Sequence, residues 1–110
     1  MDVKAVARYV RISPRKVRPV ADLIKGKSVD EALAVLQFTP NRAARAIAKV
    51  VKSAAANAEN NLELARDTLQ VAQAFVDSGP TVRRMQPRAR GRADMVRKRS
   101  SHITIVVRGE

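Results

Sequence analysis

The sequence predicts an α+β fold: three helices in the first two-thirds of the chain, strands towards both ends, and a long basic arm between the last two strands. Three observations carry this. From Thr39 to about Asn60, apolar residues recur at helical spacing. Leu69 to Asp77 and His102 to Arg108 are short runs of strand-forming residues. Between those two runs lies Pro80 to Ser101, with seven Arg, one Lys and one acid (Asp94), a local net charge of +7 in 22 residues.

Taken in order, Asp2 to Ile12 reads as a first strand. Val3, Ala5, Ala7 and Tyr9 alternate on one face, and Lys4, Arg8 and Arg11 bring cations to the other. Ser13-Pro14 is a helix start, with serine as N-cap and proline at the first helical position. Val17, Val20, Ala21 and Ile24 follow at helical spacing, and Gly26 suits the stop. Pro19 lies inside this helix, where loss of a backbone donor predicts a kink.

Ser28 to Glu31 is a capping box, opening a short helix through Ala32, Leu33 and Leu36. Thr39-Pro40 ends it and is suited to cap the third. In that third helix Ala44, Ile47, Ala48, Val51, Ala55, Ala58 and Leu62 form one stripe, while Arg42, Arg45, Lys49 and Lys52 form a second. One face packs and the other is a basic ridge. Glu59, Glu63 and Asp67 make a small acidic cluster expected to be solvated. Leu69, Val71 and Phe75 build the second strand, and Ile103, Ile105 and Val107 alternate in the last.

A structureless loop as long as Pro80 to Ser101 is uncommon inside a compact domain. As a hairpin, the segment starts after Gly79-Pro80 and has Arg90-Gly91 near its tip. Its legs project roughly 35 Å at the usual strand rise. Pro87 and like charges on both legs argue against a regular ladder throughout, so the expectation is a partly paired arm that orders against phosphate. Arginine dominates it, and the planar guanidinium makes bidentate phosphate contacts and stacks on exposed bases.

The totals narrow the function. A chain of 110 residues with 45% apolar residues fits one domain with one core, and only Tyr9, Phe38 and Phe75 are aromatic. The net charge of +12 calls for a polyanionic partner. The absence of cysteine excludes disulfides and Cys-based zinc sites. No apolar run spans a bilayer and no signal-peptide core is present, so a soluble cytoplasmic protein without membrane contact is expected. No metal or cofactor is implied. His102 is the sole histidine, and no nucleophile–base set or Gly-rich phosphate loop accompanies it, so no enzyme is expected.

Four stretches, ARYVRISPRKVR (Ala7 to Arg18), KSAAANAENN (Lys52 to Asn61), PRARGRAD (Pro87 to Asp94) and KRSSHITIVV (Lys98 to Val107), are similar to the bacterial large-subunit ribosomal protein family numbered twenty-two. The similarity covers essentially the whole chain, in order. It implies a three-stranded antiparallel sheet carrying three helices, and a hairpin arm over 80–101 of a single RNA-binding domain, residues 1–110. It further implies a structural constituent of the large subunit that supports assembly, sits near the exit of the nascent-peptide tunnel and lines the tunnel wall with the arm. Its partners would be large-subunit ribosomal RNA, other large-subunit proteins and the nascent peptide.

By position, the resemblance implies Arg88, Arg90, Gly91 and Arg92 at the tunnel-lining tip. It implies Arg83, Arg84, Arg97, Lys98 and Arg99 on RNA along the legs, and Ser13, Arg15, Lys16 and Arg18 on RNA from the first helix. Arg8, Arg11, Arg42, Arg45, Lys49 and Lys52 complete the RNA candidates from the charge pattern. Where the family often has Met-Lys-Arg on the first leg, this chain has Val82-Arg83-Arg84.

The principal rival is an architectural DNA-binding protein with a basic β-arm and Pro87 as a wedge between base steps. Such proteins usually dimerise, and no apolar surplus beyond one small core is available for a dimer face, so no homo-oligomer is expected. A membrane-active cationic protein would need a long amphipathic apolar face, which is lacking.

Overall fold

The computed structural model describes residues 2–80, 82–87 and 93–109, with 82–87 and 93–98 followed as backbone. The elements run β1 (Asp2–Val10), α1 (Pro14–Ile24), α2 (Val29–Gln37), α3 (Arg42–Asn61), a 3-10 turn (Arg66–Thr68), β2 (Gln70–Ser78), β3 (Val82–Pro87), β4 (Ala93–Lys98) and β5 (Ser101–Arg108). The main sheet is antiparallel in the order β1-β5-β2, and β3 pairs with β4 as a separate two-stranded ladder. This is the α+β architecture that the sequence predicts.

The helices cover one face of the main sheet. Ile103, Ile105 and Val107 of β5 are fully buried there, flanked by Ala5 of β1 and by Val71, Ala74 and Val76 of β2. Against them pack Val17 and Ile24 of α1, Val29 and Leu36 of α2, and Ile47, Val51 and Ala55 of α3. Alanine at Ala43, Ala44, Ala54 and Ala58 lets α3 lie close to its neighbours. Val50 joins this buried stripe, so it is wider than the periodicity predicts, whereas Leu62 is exposed at the helix end. A central helix contacting a sheet and two other helices buries more than one face.

Helix starts follow local chemistry. Ser13 is the α1 N-cap with Pro14 behind it, although the Ser13 side chain makes no capping bond. The helix runs through Pro19, which is exposed; there water can satisfy the Arg15 carbonyl that a proline cannot reach. Gly26 has φ +79°, the left-handed conformation that ends a helix cheaply only with glycine. Ser28 Oγ accepts from the Glu31 N–H at 3.2 Å, as the capping box predicts. The cap of α3 is Asn41, whose Oδ1 accepts from the Ala43 N–H at 2.8 Å, rather than Thr39-Pro40. Thr39 instead donates its hydroxyl back to the Val35 carbonyl at the end of α2.

Two bulges set which residues face the helices. In β1 the register slips by one residue between Ala7 and Val10, and Tyr9 there has φ +57°. Val3, Ala5, Ala7 and then Val10 therefore point inward, and Tyr9 does not join that row as simple alternation predicts. Its N–H donates to His102 Nδ1 at 3.1 Å, and its ring meets the His102 ring edge-on at 5.1 Å. In β2 a slip between Val71 and Gln73 keeps both Val71 and Ala74 inward, and it turns Phe75 outward.

The arm grows from the β2–β5 pair. Gly79 N–H donates to the Ser100 carbonyl at 3.0 Å, and Ser100 Oγ donates to the Pro80 carbonyl at 2.8 Å. From there Val82 pairs with Lys98, and the ladder continues without slip to Pro87 opposite Ala93. Pro87 thus closes the described ladder rather than interrupting it, as a proline at a strand end can. The molecule is elongated, 62 × 26 × 17 Å.

Candidate nucleic-acid interface

The first eleven residues of α3 carry Arg42, Arg45, Lys49 and Lys52, all exposed. At 100° per residue these four fall within an arc of roughly 80°. The opposite side of the helix is what the core requires, so burial of Ala43, Ile47 and Val50 fixes the ridge outward.

Tertiary structure then adds a second wall. β1 is an edge strand of the sheet and lies beside α3, and between them runs a cavity of about 580 Å³. Its floor is apolar, including Ala5, Ala7, Ile12 and Val50. Its rim carries Arg11, Arg42, Arg45 and Lys49, with no acidic residue among the lining side chains. Arg11 is far from the ridge in sequence, and no local pattern signals that the two meet. Lys52 lies on the same ridge beyond the lining, and Arg8 is exposed on β1.

This arrangement is not one that helix stability favours. The first turn of α3 has no acid and begins with Arg42. Cations near a helix N-terminus oppose the helix dipole, typically by about 0.3–1 kcal/mol each. A bound anion reverses the sign of that interaction. The acids lie elsewhere: Glu59 and Glu63 sit at the far end of α3, and Asp67 is in the exposed turn that follows. Because α3 is 20 residues long, the two ends stand about 30 Å apart.

The other candidates divide. On α1, Arg15 and Lys16 are exposed. Arg18 is engaged by the protein itself, donating Nε and Nη2 to the Val76 carbonyl at 3.3 and 3.1 Å. It thereby covers part of the outer edge of β2, whose start is covered by bonds between Gly26, Lys27 and Val71. Ser13 is half-buried at the start of α1, and Arg99 is exposed at the base of the arm. Along the legs, Arg83 stands opposite Arg97, Arg84 opposite Val96 and Lys98 opposite Val82. The expected tip residues Arg88, Arg90, Gly91 and Arg92 lie outside the described residues.

One ion pair shows how the sheet handles its own charges. Asp2 and Arg108 face each other across β1 and β5, with Nε to Oδ1 at 2.8 Å and Nη2 to Oδ2 at 3.3 Å. The hydrogen bond from Arg108 holds the Asp2 carboxyl below the usual carboxylate range and raises the guanidinium in return. Among the described residues there is no group of three or more His, Cys, Asp or Glu able to hold a metal ion. No helix there is long and apolar enough to cross a membrane.

Comparison with known proteins gives a consistent set of relatives. The family model described as ribosomal protein L22p/L17e matches residues 5–108. A protein from Pelotomaculum thermopropionicum named large ribosomal subunit protein uL22 is 64% identical over 107 residues, covering 97% of this chain and 95% of its own length. The protein of that name from Thermoanaerobacter sp. is 65% identical over 108 residues, covering 98% and 97%. One from Roseiflexus castenholzii is 58% identical over 107 residues, covering 97% and 95%.

Proposed function

Since the chain belongs to the ribosomal protein L22p/L17e family, we propose that it holds large-subunit ribosomal RNA in the groove between β1 and α3 and carries an arm towards the nascent-peptide tunnel. It is a structural constituent of the large ribosomal subunit and acts in the cytoplasm within the ribosome. Membership of this family sets aside the architectural DNA-binding reading. The observation that carries the RNA assignment is the acid-free cationic rim of Arg11, Arg42, Arg45 and Lys49 over an apolar floor. Phosphates meet the rim, while sugars and base edges meet the floor.

The rest of the assignment follows the charge. Arg8, Arg15, Lys16 and Lys52 extend the phosphate contacts from the body, and Ser13 contributes from the start of α1, whereas Arg18 is committed to the Val76 carbonyl and anchors α1 to the edge of β2. Arg83, Arg84, Arg97, Lys98 and Arg99 hold RNA along the arm, while Arg88, Arg90, Gly91 and Arg92 form the tunnel-lining tip. The register supports the leg assignment, because Arg83 opposite Arg97 is a like-charge pairing that a free ladder disfavours and a polyanion relieves. The whole chain works as one RNA-binding domain, residues 1–110, with 80–101 as its arm. Its other partners are neighbouring large-subunit proteins and the growing peptide. It acts as a monomer, binds no cofactor and supplies no reacting group.

Two measurements test this. The protein should co-sediment with the large subunit in a density gradient at moderate salt; recovery only on bulk DNA would sink the assignment. Neutralising Arg42, Arg45 and Lys49 together should weaken RNA binding and flatten its salt dependence by roughly 0.7–0.9 of a logarithmic unit per lost contact. An unchanged salt slope in that triple variant would remove the groove as the RNA site.

A further inference from the structure

All three aromatic residues of the chain are exposed: Tyr9 at 65%, Phe75 at 47% and Phe38 at 82%. The core is made without them, so core packing accounts for none of the three. Two of them belong to the face of the sheet turned away from the helices. On that face β5 presents His102, Thr104 and Val106, because Ile103, Ile105 and Val107 point to the core. Phe75 stands opposite Thr104, which in turn stands opposite Val6, itself 42% exposed. Tyr9 joins the neighbouring row through its edge-on contact with His102.

Tyr9 is held there at a cost. A non-glycine residue with φ +57° is disfavoured by roughly 1–3 kcal/mol, and bulges commonly re-aim a side chain. The slip in β1, the hydrogen bond from the Tyr9 N–H to His102 Nδ1 and the ring contact together fix an aromatic plane outside the core. Lys4 and Arg8, both exposed, adjoin it on the same strand. Of the acids nearby, Asp2 is engaged by Arg108, which leaves Asp77, opposite His102, as a local negative charge.

We propose that this helix-free face is a stacking platform for unpaired RNA bases, with Tyr9 and Phe75 as its two π-surfaces and Lys4 and Arg8 on the adjoining phosphates. Two strand spacings separate the strands that bear the two rings, about 10 Å, so each ring takes its own base. His102 is a positioning residue for Tyr9. Thr104 and Gln73 supply hydrogen-bonding groups beside the rings, as open sheets that read single-stranded RNA do. A protein partner would need a contiguous apolar patch, whereas here the apolar side chains alternate with polar ones in a chain of net charge +12. The proposal rests on the RNA-binding reading above and adds a second contact surface, which meets the groove at Val6 of β1 and has a different chemistry.

The chain has one tyrosine and no tryptophan, so its intrinsic fluorescence reports Tyr9 alone. The full-length protein is titrated with single-stranded oligoadenylate of about ten nucleotides, within the usual range of single-strand site sizes, and with an abasic ribose-phosphate oligomer of equal length. Adenylate should quench Tyr9 and bind at least about fivefold tighter than the abasic polymer, which should leave Tyr9 emission unchanged. In Tyr9→Asn and Phe75→Leu, read by anisotropy of labelled RNA, that advantage should shrink while abasic binding holds. Asparagine tolerates the left-handed backbone at position 9, so the first variant keeps the bulge.

Equal binding of both polymers with unquenched Tyr9 would overturn the platform and leave the cationic groove standing. Binding of neither would overturn the RNA reading and the platform together. Base-dependent binding with unquenched Tyr9, unaffected by either variant, would place stacking on the arginines of the arm and overturn the platform.

Discussion

Ser101 is the polar side chain that the core takes in completely, at 0% exposure among the described residues. It stands opposite both Val10 and Ser78, and its hydroxyl donates to the Ile12 carbonyl. It therefore fixes the turn out of β1 to the strand from which the arm departs. Ser101→Ala leaves that carbonyl without its donor and should cost about 1–3 kcal/mol in a urea melt. The contact joins residues far apart in the chain, so the sequence shows a serine before a strand and nothing of what it holds. Asp2 and Arg108 give a smaller, pH-dependent contact. The Asp2 carboxyl is lowered by its bond from Arg108, so its stabilising contribution is present above the carboxylate's ordinary value and is lost as pH falls through the lowered one. Protection of the amides at the start of β1, taken relative to their intrinsic exchange rates, should fall on acidification through that range, and Asp2→Asn should abolish that fall. Both side chains are exposed, and the effect belongs to the strand end alone.

Among the elements, the start of α3 carries a cation where the helix dipole disfavours one, and the base of the arm is closely packed around Gly79. The core stripe of α3 was legible because alanine, isoleucine and valine recur at its period, and the basic ridge was legible for the same reason. The groove was not, since its second wall comes from β1 and the contact depends on how the sheet packs. Arg42→Glu places an acid in the first turn and should raise the melting temperature of the free protein while lowering RNA affinity. A loss of both would show that Arg42 serves the fold instead. At the arm base, a Cβ added to Gly79 would lie 2.5 Å from Ser100 Oγ and 3.2 Å from the His102 ring. Gly79→Ala should therefore break the Ser100 bond to Pro80 and increase exchange of the amides at the start of β3, with the main sheet intact. The Gly79-Pro80 pair announced a change of structure in the sequence, but the reason for glycine, a close approach by two residues from the returning strand, did not appear there.

At the scale of the whole molecule, the buried core lies in 5–76 and 103–107, with Ser101 beside it, and the arm extends beyond it. Replacing 82–98 with a short Gly/Ser turn should leave the helices and main sheet folded, with circular dichroism and cooperative melting close to those of the full chain. Non-cooperative melting would show that the arm supports the body. RNA affinity should fall in the same variant, because removing cations removes counterion release. Charge is distributed accordingly: cations occupy the start of α3, β1 and the arm, and Glu59, Glu63 and Asp67 lie around the far end of α3. On the proposed RNA reading, that polarity turns the basic side towards the phosphates without needing a specific base.

The sequence by itself determined the fold class, the order of the elements, the basic ridge and the existence of a paired arm. These depend on periodicity, capping and turn chemistry, all of which act between residues close in the chain. The tertiary structure decided that Arg11 joins the α3 ridge across a groove, that Arg18 turns inward to Val76, and that Tyr9 and Phe75 stand outside the core. Those outcomes depend on two one-residue bulges and on the packing of β1 beside α3. A register slip costs little locally, yet it reverses every side chain beyond it, and only the assembled sheet fixes where the slip falls.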